Sequence, residues 1–308
     1  MTRAPAGAAG RPVVSLARAL SKLGVCSRRE AERWILAGRV AVGGRKETRA
    51  ERRVDLRRDR VTVDGAPAGG GFERIALALH KPVGYVTTRV DPGGRPTVYD
   101  LLDGVGRWVF PVGRLDRDSS GLLVLTNDHH LGRRLTDPGH EVPKAYHARV
   151  RGVPGVEALD ALREGMALAD GTTTRPARVR VLGTARAGRE GAETWIEVVL
   201  TEGRNRQVRK MCAAVGHDVS ALVRVAVGAI RLADLPPGEW RRLSQAEVEP
   251  APRSGRAHGE AEQLRVLEVD ERRAVAPQGP PHTDPDQAVA DASDAPGDRT
   301  SWSLYWSW

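Results

Sequence analysis

Residues 113–127 read Gly-Arg-Leu-Asp-Arg-Asp-Ser-Ser-Gly-Leu-Leu-Val-Leu-Thr-Asn, which places a polar turn directly before a strongly apolar run. A short apolar run bounded by Gly and Ser is typical of a buried strand. Groups on the loops beside such a strand are held by the scaffold and can still be reached by a substrate. Asp116 in this turn is therefore a candidate catalytic carboxylate. An ordinary surface turn is the alternative, because Asp and Ser are common in turns.

The composition predicts a soluble protein with two domains. The chain has 308 residues, of which 40% are hydrophobic, enough for one or two ordinary cores. No apolar stretch approaches the roughly 20 residues that span a bilayer, and residues 1–14 lack the apolar segment of a signal peptide. Cys26 and Cys212 are too few for a disulfide framework and lack metal-ligand spacing. We expect a cytoplasmic protein that does not bind membranes.

The positive charge is concentrated near the amino terminus. Residues 1–65 carry 16 Lys and Arg against 7 Asp and Glu, a net charge of +9. This equals the net charge of the whole chain, so the remaining residues sum to zero. Such a segment could bind nucleic acid or an anionic membrane. Arg far outnumbers Lys, and a guanidinium suits bidentate contacts with phosphate. The segment is therefore predicted to bind a polyanion.

Residues 15–65 are predicted to form two helices followed by short strands. Leu16, Leu20 and Leu23 give the first helix one apolar face. Residues 27–30 read Ser-Arg-Arg-Glu, a capping box that would begin the second helix. Short strands are predicted around Val40 and Val42, and around Val61 and Val63. Four arginines lie mostly away from the apolar stripe and are predicted to bind RNA: Arg28, Arg29, Arg33 and Arg39.

This segment resembles the alpha-L RNA-binding domain of a small-subunit ribosomal protein, bacterial tyrosyl-tRNA synthetases and several RNA-modifying enzymes. The resemblance rests on the leucine-spaced first helix, on residues 27–31 and on residues 35–42. It implies an RNA-binding role. A solvated pair of basic helices is the alternative interpretation.

The rest of the chain is predicted to be an α+β domain around a mixed, mostly antiparallel sheet. Apolar residues alternate along three predicted strands near residues 75–79, 146–150 and 196–200, while Val208, Met211, Cys212 and Val215 have helical spacing. We predict a disordered leader (1–14), the alpha-L domain (15–65), a Gly-rich hinge (66–74), the α+β domain (75–250) and a disordered tail (251–308).

Three further segments accompany the Asp116 turn. Lys144 and Tyr146 lie two apart on a predicted strand, so one could touch phosphate where the other stacks on a base, although Tyr146 taken alone fits a core position better. Residues 202–210 form a polar cluster that opens a helix, and helix amino termini attract phosphate. Residues 222–228 predict a further strand, in which Leu222 could simply pack.

Taken in this order, the four segments resemble the pseudouridine synthases that modify ribosomal RNA at single uridines. The matching motifs are residues 113–123, the Lys144 and Tyr146 pair, residues 202–211 and residues 222–228. Residues 91–98 further resemble the branch that acts on the large subunit, the RluB type. The sequence departs from the family at His129, where Gly is usual, and at Asp218, where Pro is common.

The resemblance implies an isomerase that needs no metal and no cofactor. Asp116 would be the nucleophile, either attacking the anomeric carbon of the ribose or assisting glycal formation. Arg209 would be its buried basic partner, Tyr146 would stack on the uracil, and Leu222 would pack beneath the site. The target nucleotide must be flipped out to be reached. Candidates for contact with the RNA are Arg114, Lys144, Arg204, Arg206 and Gln207.

Ribosomal RNA or a ribosome-assembly intermediate is the expected partner, and we expect a monomer. A small-subunit target stays open, as do two other functions. A metal-dependent hydrolase could use the nearby Asp116, Asp118, Asp128, His129 and His130, but an extended strand would separate them. A non-catalytic RNA-binding assembly factor would need only the basic domain.

Overall fold

A computed structural model describes residues 13–68, 73–188 and 191–249. Most of the predicted leader and the whole predicted tail lie outside these described residues. Within them, no helix has the length and apolar character needed to cross a membrane. The described residues form a smaller amino-terminal part and a larger part, here called the two domains, and each has its own hydrophobic core.

The amino-terminal domain packs two helices against short strands. The core contains Leu16, Leu20, Ala31 and Ile35, all fully buried, as the helical spacing predicts. Strands β2 and β5 pair antiparallel at the centre of a four-stranded sheet, and β1 pairs with β4. The elements are β1 (Val13–Ser15), α1 (Leu16–Lys22), α2 (Arg28–Leu36), β2 (Val40–Val42), β3 (Arg45–Lys46), β4 (Arg53–Asp55), β5 (Val61–Val63) and β6 (Ala66–Pro67).

The ends of this domain differ slightly from the sequence prediction. Ser27 caps α2 by accepting a hydrogen bond from the Glu30 amide, but the reciprocal bond of a capping box is not formed. Strand β6 pairs with β5, and Ala68 is buried in the same core. The domain therefore reaches from Val13 to at least Ala68, because both edges are tied down by strand pairing.

The larger domain is built on a nine-stranded mixed sheet. The strand order is β11-β12-β10-β13-β9-β7-β15, with β14 beside β13 and β8 beside β9. Only β13 and β9 run parallel among the described pairs. The predicted mixed, mostly antiparallel sheet is confirmed. Its strands are β7 (Ala76–Lys81), β8 (Phe110–Pro111), β9 (Ser120–Thr126), β10 (Lys144–Arg151), β11 (Arg178–Gly188), β12 (Gly191–Leu200), β13 (Val219–Val227), β14 (Ile230–Arg231) and β15 (Trp240–Arg242).

Within the described residues, four α-helices accompany this sheet. Helix α5 buries Val208, Met211 and Cys212, and Gly216 follows it with a φ of +84°, as the helical spacing predicts. The helices are α3 (His129–Thr136), α4 (Val156–Glu164), α5 (Gln207–Ala214) and α6 (Gln245–Val248).

The central strand β9 is buried on both faces, which explains its unbroken apolar run. Leu123 and Leu125 belong to one core cluster, while Leu122 and Val124 belong to another. Gly121 has a φ of +104°, and a Cβ there would lie 2.3 Å from the carbonyl oxygen of Arg224. Only glycine allows β13 to approach β9 so closely, so this residue sets the parallel pairing beside the Asp116 turn.

The two domains meet where α1 ends and α3 begins. The His129 Nε2 lies 2.9 Å from the Ser21 carbonyl oxygen and 3.4 Å from the Ser21 hydroxyl. The His129 ring also stacks on Phe110, with 4.6 Å between ring centroids. Burial lowers the pKa of this histidine. The departure from the family's usual glycine thus supplies a contact between the domains.

Candidate active site

Asp116 lies in a turn between β8 and β9 that neighbouring backbone groups hold on both sides. The Ser119 amide donates to the Asp116 carbonyl oxygen at 3.1 Å. Thr87 Oγ1 donates to the Leu115 carbonyl oxygen at 2.8 Å, and the Gly84 amide donates to the Arg117 carbonyl oxygen at the same distance. The Asp116 side chain is 32% exposed. The carboxylate is therefore fixed by its backbone and open to a ligand.

Lys81 lies fully buried beneath this turn at the end of β7. Its Nζ donates to the carbonyl oxygens of Pro82 at 2.8 Å and of Ser119 at 2.7 Å. Burial lowers the pKa of Lys81 to about 8, although the charges of Asp116 and Asp118 oppose this shift. This ammonium ties the start of the 82–97 loop to the Asp116 turn. We did not predict it from sequence, and its only signal was a lysine ending an apolar strand.

Two arginines from the start of α5 reach the turn. Arg206 makes a bidentate pair with Asp118, at 3.0 and 2.9 Å, and its Nη1 lies 3.8 Å from Asp116 Oδ2. Arg206 adopts a left-handed conformation with a φ of +53°. Arg209 is 13% exposed, and its Nε lies 3.3 Å from Asp118 Oδ2. The two guanidiniums lower the pKa of Asp118 against the opposing effect of its burial.

The ion pair implied between Arg209 and Asp116 is not formed in this structure. Instead, Arg209 donates to the Asp118 carbonyl oxygen at 2.7 Å and to the Val219 carbonyl oxygen at 2.9 Å. Asp118 lies two residues beyond Asp116 and takes both guanidiniums. Arg209 therefore joins the Asp116 turn to the start of β13, and Arg206 is the cation that contacts Asp116.

Tyr146 and Leu222 lie on adjacent strands under the site. Tyr146 is half-buried and packs against two core clusters, one of which contains Leu115, the residue before Asp116. Leu222 is 7% exposed and belongs to the other cluster, together with Ala148, its partner in the β10–β13 register. Both residues thus pack against the core, and Tyr146 also reaches the wall of the Asp116 turn.

Arg224 is a second buried cation that we did not predict. It is 4% exposed in the middle of β13, and its Nε donates to the Leu122 carbonyl oxygen at 2.8 Å. Its Nη1 lies 3.5 Å from the carbonyl oxygen of Arg114. Among the described residues, its Nη2 has no hydrogen-bond partner. The sequence signal for this residue was an arginine within an apolar strand. In the structure it links β9 to the Asp116 turn.

The predicted RNA-binding residues differ in exposure and in pairing. Arg28, Arg29, Arg33 and Arg114 are exposed, whereas burial lowers the pKa of the half-buried Lys144. Arg39 and Arg204 are exposed but paired, with Asp64 and Glu202 respectively.

Gln207 differs from the other predicted RNA contacts because it faces the interior. It is 4% exposed and donates to Glu202 at 2.5 Å, while its side-chain oxygen accepts from the Arg204 amide. These bonds hold the loop before α5. Gln207 therefore supports Arg204 and Arg206 from inside and does not present its side chain to solvent.

The acids and histidines considered for a metal site have other roles. Asp128 caps α3 through the His130 amide, and His129 contacts the amino-terminal domain. Asp116 and Asp118 lie at the opposite end of β9. Across residues 13–68, 73–188 and 191–249, no group of three His, Cys, Asp or Glu side chains is arranged to hold a metal ion.

Two family models match the chain. That of the RNA pseudouridylate synthases matches residues 75–214, and that of the S4 domain matches residues 14–61. An RNA pseudouridine synthase of Aquifex aeolicus, described as uncharacterized, is 39% identical, over 76% of this chain and 92% of that protein.

Two further relatives carry the name ribosomal large subunit pseudouridine synthase B. The protein from Bacillus subtilis is 36% identical, over 76% of this chain and 92% of that protein. The protein from Salmonella typhimurium is 39% identical, over 84% of this chain and 92% of that protein.

A solved structure described as a pseudouridylate synthase superposes with a TM-score of 0.54 and 26% identity. It covers 76% of this chain and 98% of that chain. The sequence relatives, the family models and the fold all indicate the same family. The chain therefore belongs to the RNA pseudouridine synthase family of isomerases and carries an S4 domain at its amino-terminal end.

Proposed function

We propose that the protein converts uridine to pseudouridine in ribosomal RNA of the large subunit, with Asp116 as the nucleophile. The observation that carries this proposal is the position of Asp116, partly exposed in a turn that backbone hydrogen bonds hold on both sides. Two relatives named for the large ribosomal subunit support the choice of RNA. Cytoplasmic ribosomes would then be the place of action, and a monomer would suffice.

The isomerisation breaks the bond from N1 of uracil to C1′ of the ribose and forms a bond from C5 to C1′. The proton on C5 leaves and N1 gains one, so no redox partner is needed. The Asp116 carboxylate would attack C1′ or assist glycal formation, and the cleaved uracil would turn before it rejoins. Arg206 supplies positive charge 3.8 Å from Asp116 Oδ2, where charge changes during the reaction.

The remaining residues would bind or position the substrate. Tyr146 would stack on the flipped uracil and take part in proton removal from C5, while Leu222 packs beneath it. Arg209 would act through the turn, because it holds the Asp118 backbone rather than Asp116. The exposed Arg114, Arg204 and Arg206, together with Lys144, would contact phosphates on either side of the flipped nucleotide.

The decisive experiment maps pseudouridine in ribosomal RNA from a strain that lacks the gene. The strain is complemented with the wild type, with Asp116→Asn, or with Asp234→Asn as a control at an exposed aspartate of the same domain. We expect the wild type and the control to restore one pseudouridine in the large-subunit RNA. We expect Asp116→Asn to restore none and to lower turnover in vitro by about 1,000-fold or more.

Each alternative gives a different result. If Asp116→Asn restores pseudouridine, Asp116 is not the nucleophile, and a non-catalytic assembly factor is favoured. A restored site in the small-subunit RNA would keep the activity but reject the large-subunit target. Loss of activity on prolonged chelation would favour a metal-dependent reaction.

A further inference from the structure

A cleft of about 550 Å³ lies between the amino-terminal domain and the segment before the Asp116 turn. This volume lies within the range of about 300–1,000 Å³ that small-ligand sites have. Glu30 and Trp34 of α2 form one wall. Arg89, Tyr99, Arg107 and Trp108 of the larger domain form the other. The cleft is separate from Asp116, and the reaction described above does not use it.

The walls combine aromatic rings with cations. Trp34, Tyr99 and Trp108 are half-buried, so each ring is held in place and partly exposed. The Arg39 guanidinium lies over the Trp34 ring at 4.8 Å. The Arg89 guanidinium lies over the Tyr99 ring at 5.3 Å. Trp108 is supported from behind by Phe110, with 5.5 Å between the ring centroids. Aromatic rings beside arginines are the chemistry that binds unpaired nucleotides, because rings stack on bases and guanidiniums pair with phosphates.

The charges favour an anionic ligand that has a polar planar group. Arg89 and Arg107 are exposed at the cleft, and α2 carries further exposed arginines next to it. Glu30 is the acid that faces the cleft. Its carboxylate would accept a hydrogen bond from the amino group of adenine, cytosine or guanine, and uracil has no such group. An apolar peptide would leave these charges without partners.

The cleft is also connected to the reaction site through the 82–97 loop. Gly84 and Thr87 hydrogen-bond to the Asp116 turn, and Arg89 follows Thr87 by two residues. Val86 then bridges to Thr97, directly before the short helical turn that carries Tyr99. One RNA could therefore contact both places.

We propose that this cleft binds one unpaired nucleotide of the substrate RNA, with its base stacked against Trp108, Tyr99 or Trp34 and its phosphate bound by Arg89 and Arg107. The proposal rests on the proposed function for the identity of the RNA. It adds a second recognition site, which would select RNA that presents an unpaired nucleotide with an amino-bearing base near the target uridine.

The test uses the full chain and a single-stranded RNA of about 10 nucleotides, a length within the site sizes of single-strand-binding domains. A 6-thioguanosine in the RNA, whose base keeps an amino group, provides crosslinks, and the same RNA annealed into a duplex is the control ligand. The variants are Trp108→Leu and Arg107→Gln. Their matched controls are Trp195→Leu, a half-buried tryptophan 5.9 Å from Arg149, and Arg178→Gln, an exposed arginine on β11.

We expect crosslinks in the peptides that carry Trp34, Tyr99 or Trp108, with single-stranded RNA preferred over the duplex. Trp108→Leu should weaken binding by roughly 5- to 100-fold, the range found for loss of one stacking ring. Arg107→Gln should weaken binding and make it less sensitive to salt. Both control variants should bind like the wild type. If Trp108→Leu does not fold, the RNA affinity of the Arg107→Gln variant is the test, because Arg107 is exposed.

The proposal is wrong if Arg107→Gln and a folded Trp108→Leu bind within about 2-fold of the wild type, since a stacking contact would cost more. It is also wrong if these changes alter self-association and leave RNA affinity intact, because the cleft would then be a protein contact. The proposed function is tested separately by complementation, and it is wrong if the wild type restores no pseudouridine in ribosomal RNA. In that case, crosslinks in the cleft would still establish it as a nucleotide site.

Discussion

Positive charge is placed differently in helix α2 and around the Asp116 turn. Arg28, Arg29 and Arg33 of α2 are exposed. Lys81 and Arg224 are buried beneath the turn, where Lys81 donates to the carbonyl oxygen of Ser119 in the turn and Arg224 donates to that of Leu122 in β9. Exposed cations attract a polyanion from a distance, whereas buried cations that bind backbone groups hold a loop in one conformation. The two regions should therefore respond differently to the loss of a charge.

The largest effect is expected where a cation joins the turn to the sheet. Arg209→Gln removes the contacts with the Asp118 and Val219 carbonyl oxygens. We expect kcat to fall about 100-fold, because the Asp116 turn is no longer held in position. The Kd for RNA should change less than about 2-fold, because Arg209 binds the protein backbone and not the RNA. Single-turnover kinetics and a binding titration measure the two quantities. Arg178→Gln is the control, and an unchanged kcat would show that Arg209 does not position the turn.

The buried lysine should affect stability more than binding. Lys81→Met leaves the carbonyl oxygens of Pro82 and Ser119 without their donor, which costs about 1–3 kcal/mol. Urea denaturation measures this change in the free energy of unfolding. Lys22→Met, at an exposed lysine that ends α1, should change it by less than about 0.5 kcal/mol. Equal effects of the two substitutions would contradict the distinction between buried and exposed cations.

The exposed arginines should affect binding and not turnover. Replacing Arg28, Arg29 and Arg33 together by glutamine should weaken RNA binding about 10-fold near 0.1 M salt. It should reduce the slope of log K against log salt by up to about 2, since each phosphate contact contributes about 0.7. The kcat at saturating RNA should stay within about 2-fold of the wild type. An unchanged salt slope would mean that α2 does not contact phosphates.

The smallest effect is expected on the free energy of unfolding when a buried ion pair is removed, compared with an exposed one. Burial raises the pKa of Glu197, but hydrogen bonds from His147 and Arg180 outweigh this and bring the value to about 2. The carboxylate therefore stabilises the fold above its ordinary pKa of about 4.3, and this contribution is lost as the pH falls towards 2. Glu197→Gln should lower stability at pH 7 by about 1 kcal/mol and flatten its dependence on pH between these values.

Asp64→Asn is the matched change for Glu197→Gln. Asp64 pairs with Arg39, but its side chain is 52% exposed and water screens the pair. Although Arg39 lowers the pKa of Asp64, the substitution should leave the acid unfolding curve almost unchanged. Thermal unfolding between pH 2 and pH 7 measures both variants. A larger effect from Asp64→Asn would show that burial does not decide the strength of these pairs.

Sequence reasoning succeeded where the information is local. Leu16 and Leu20 on α1, the Ser27 cap of α2 and the apolar run of β9 follow from spacing within a few residues, and the structure confirms them. It did not find Lys81 or Arg224 because a charge in an apolar strand does not reveal which loop it will contact. It also placed Gln207 among the RNA contacts, since a polar residue at the start of a helix gives no sign of whether it faces inward.

The sequence by itself determined the helices α1, α2 and α5, the buried strand β9 and the family, because repeated spacing and ordered motifs can be recognised without three-dimensional information. Only the tertiary structure decided that Arg206 contacts Asp116 while Arg209 holds the Asp118 backbone. It alone brought Trp34 and Trp108 to one cleft. The physical reason is that ion pairs and stacking depend on distances of a few ångströms between residues far apart along the chain, and packing sets those distances.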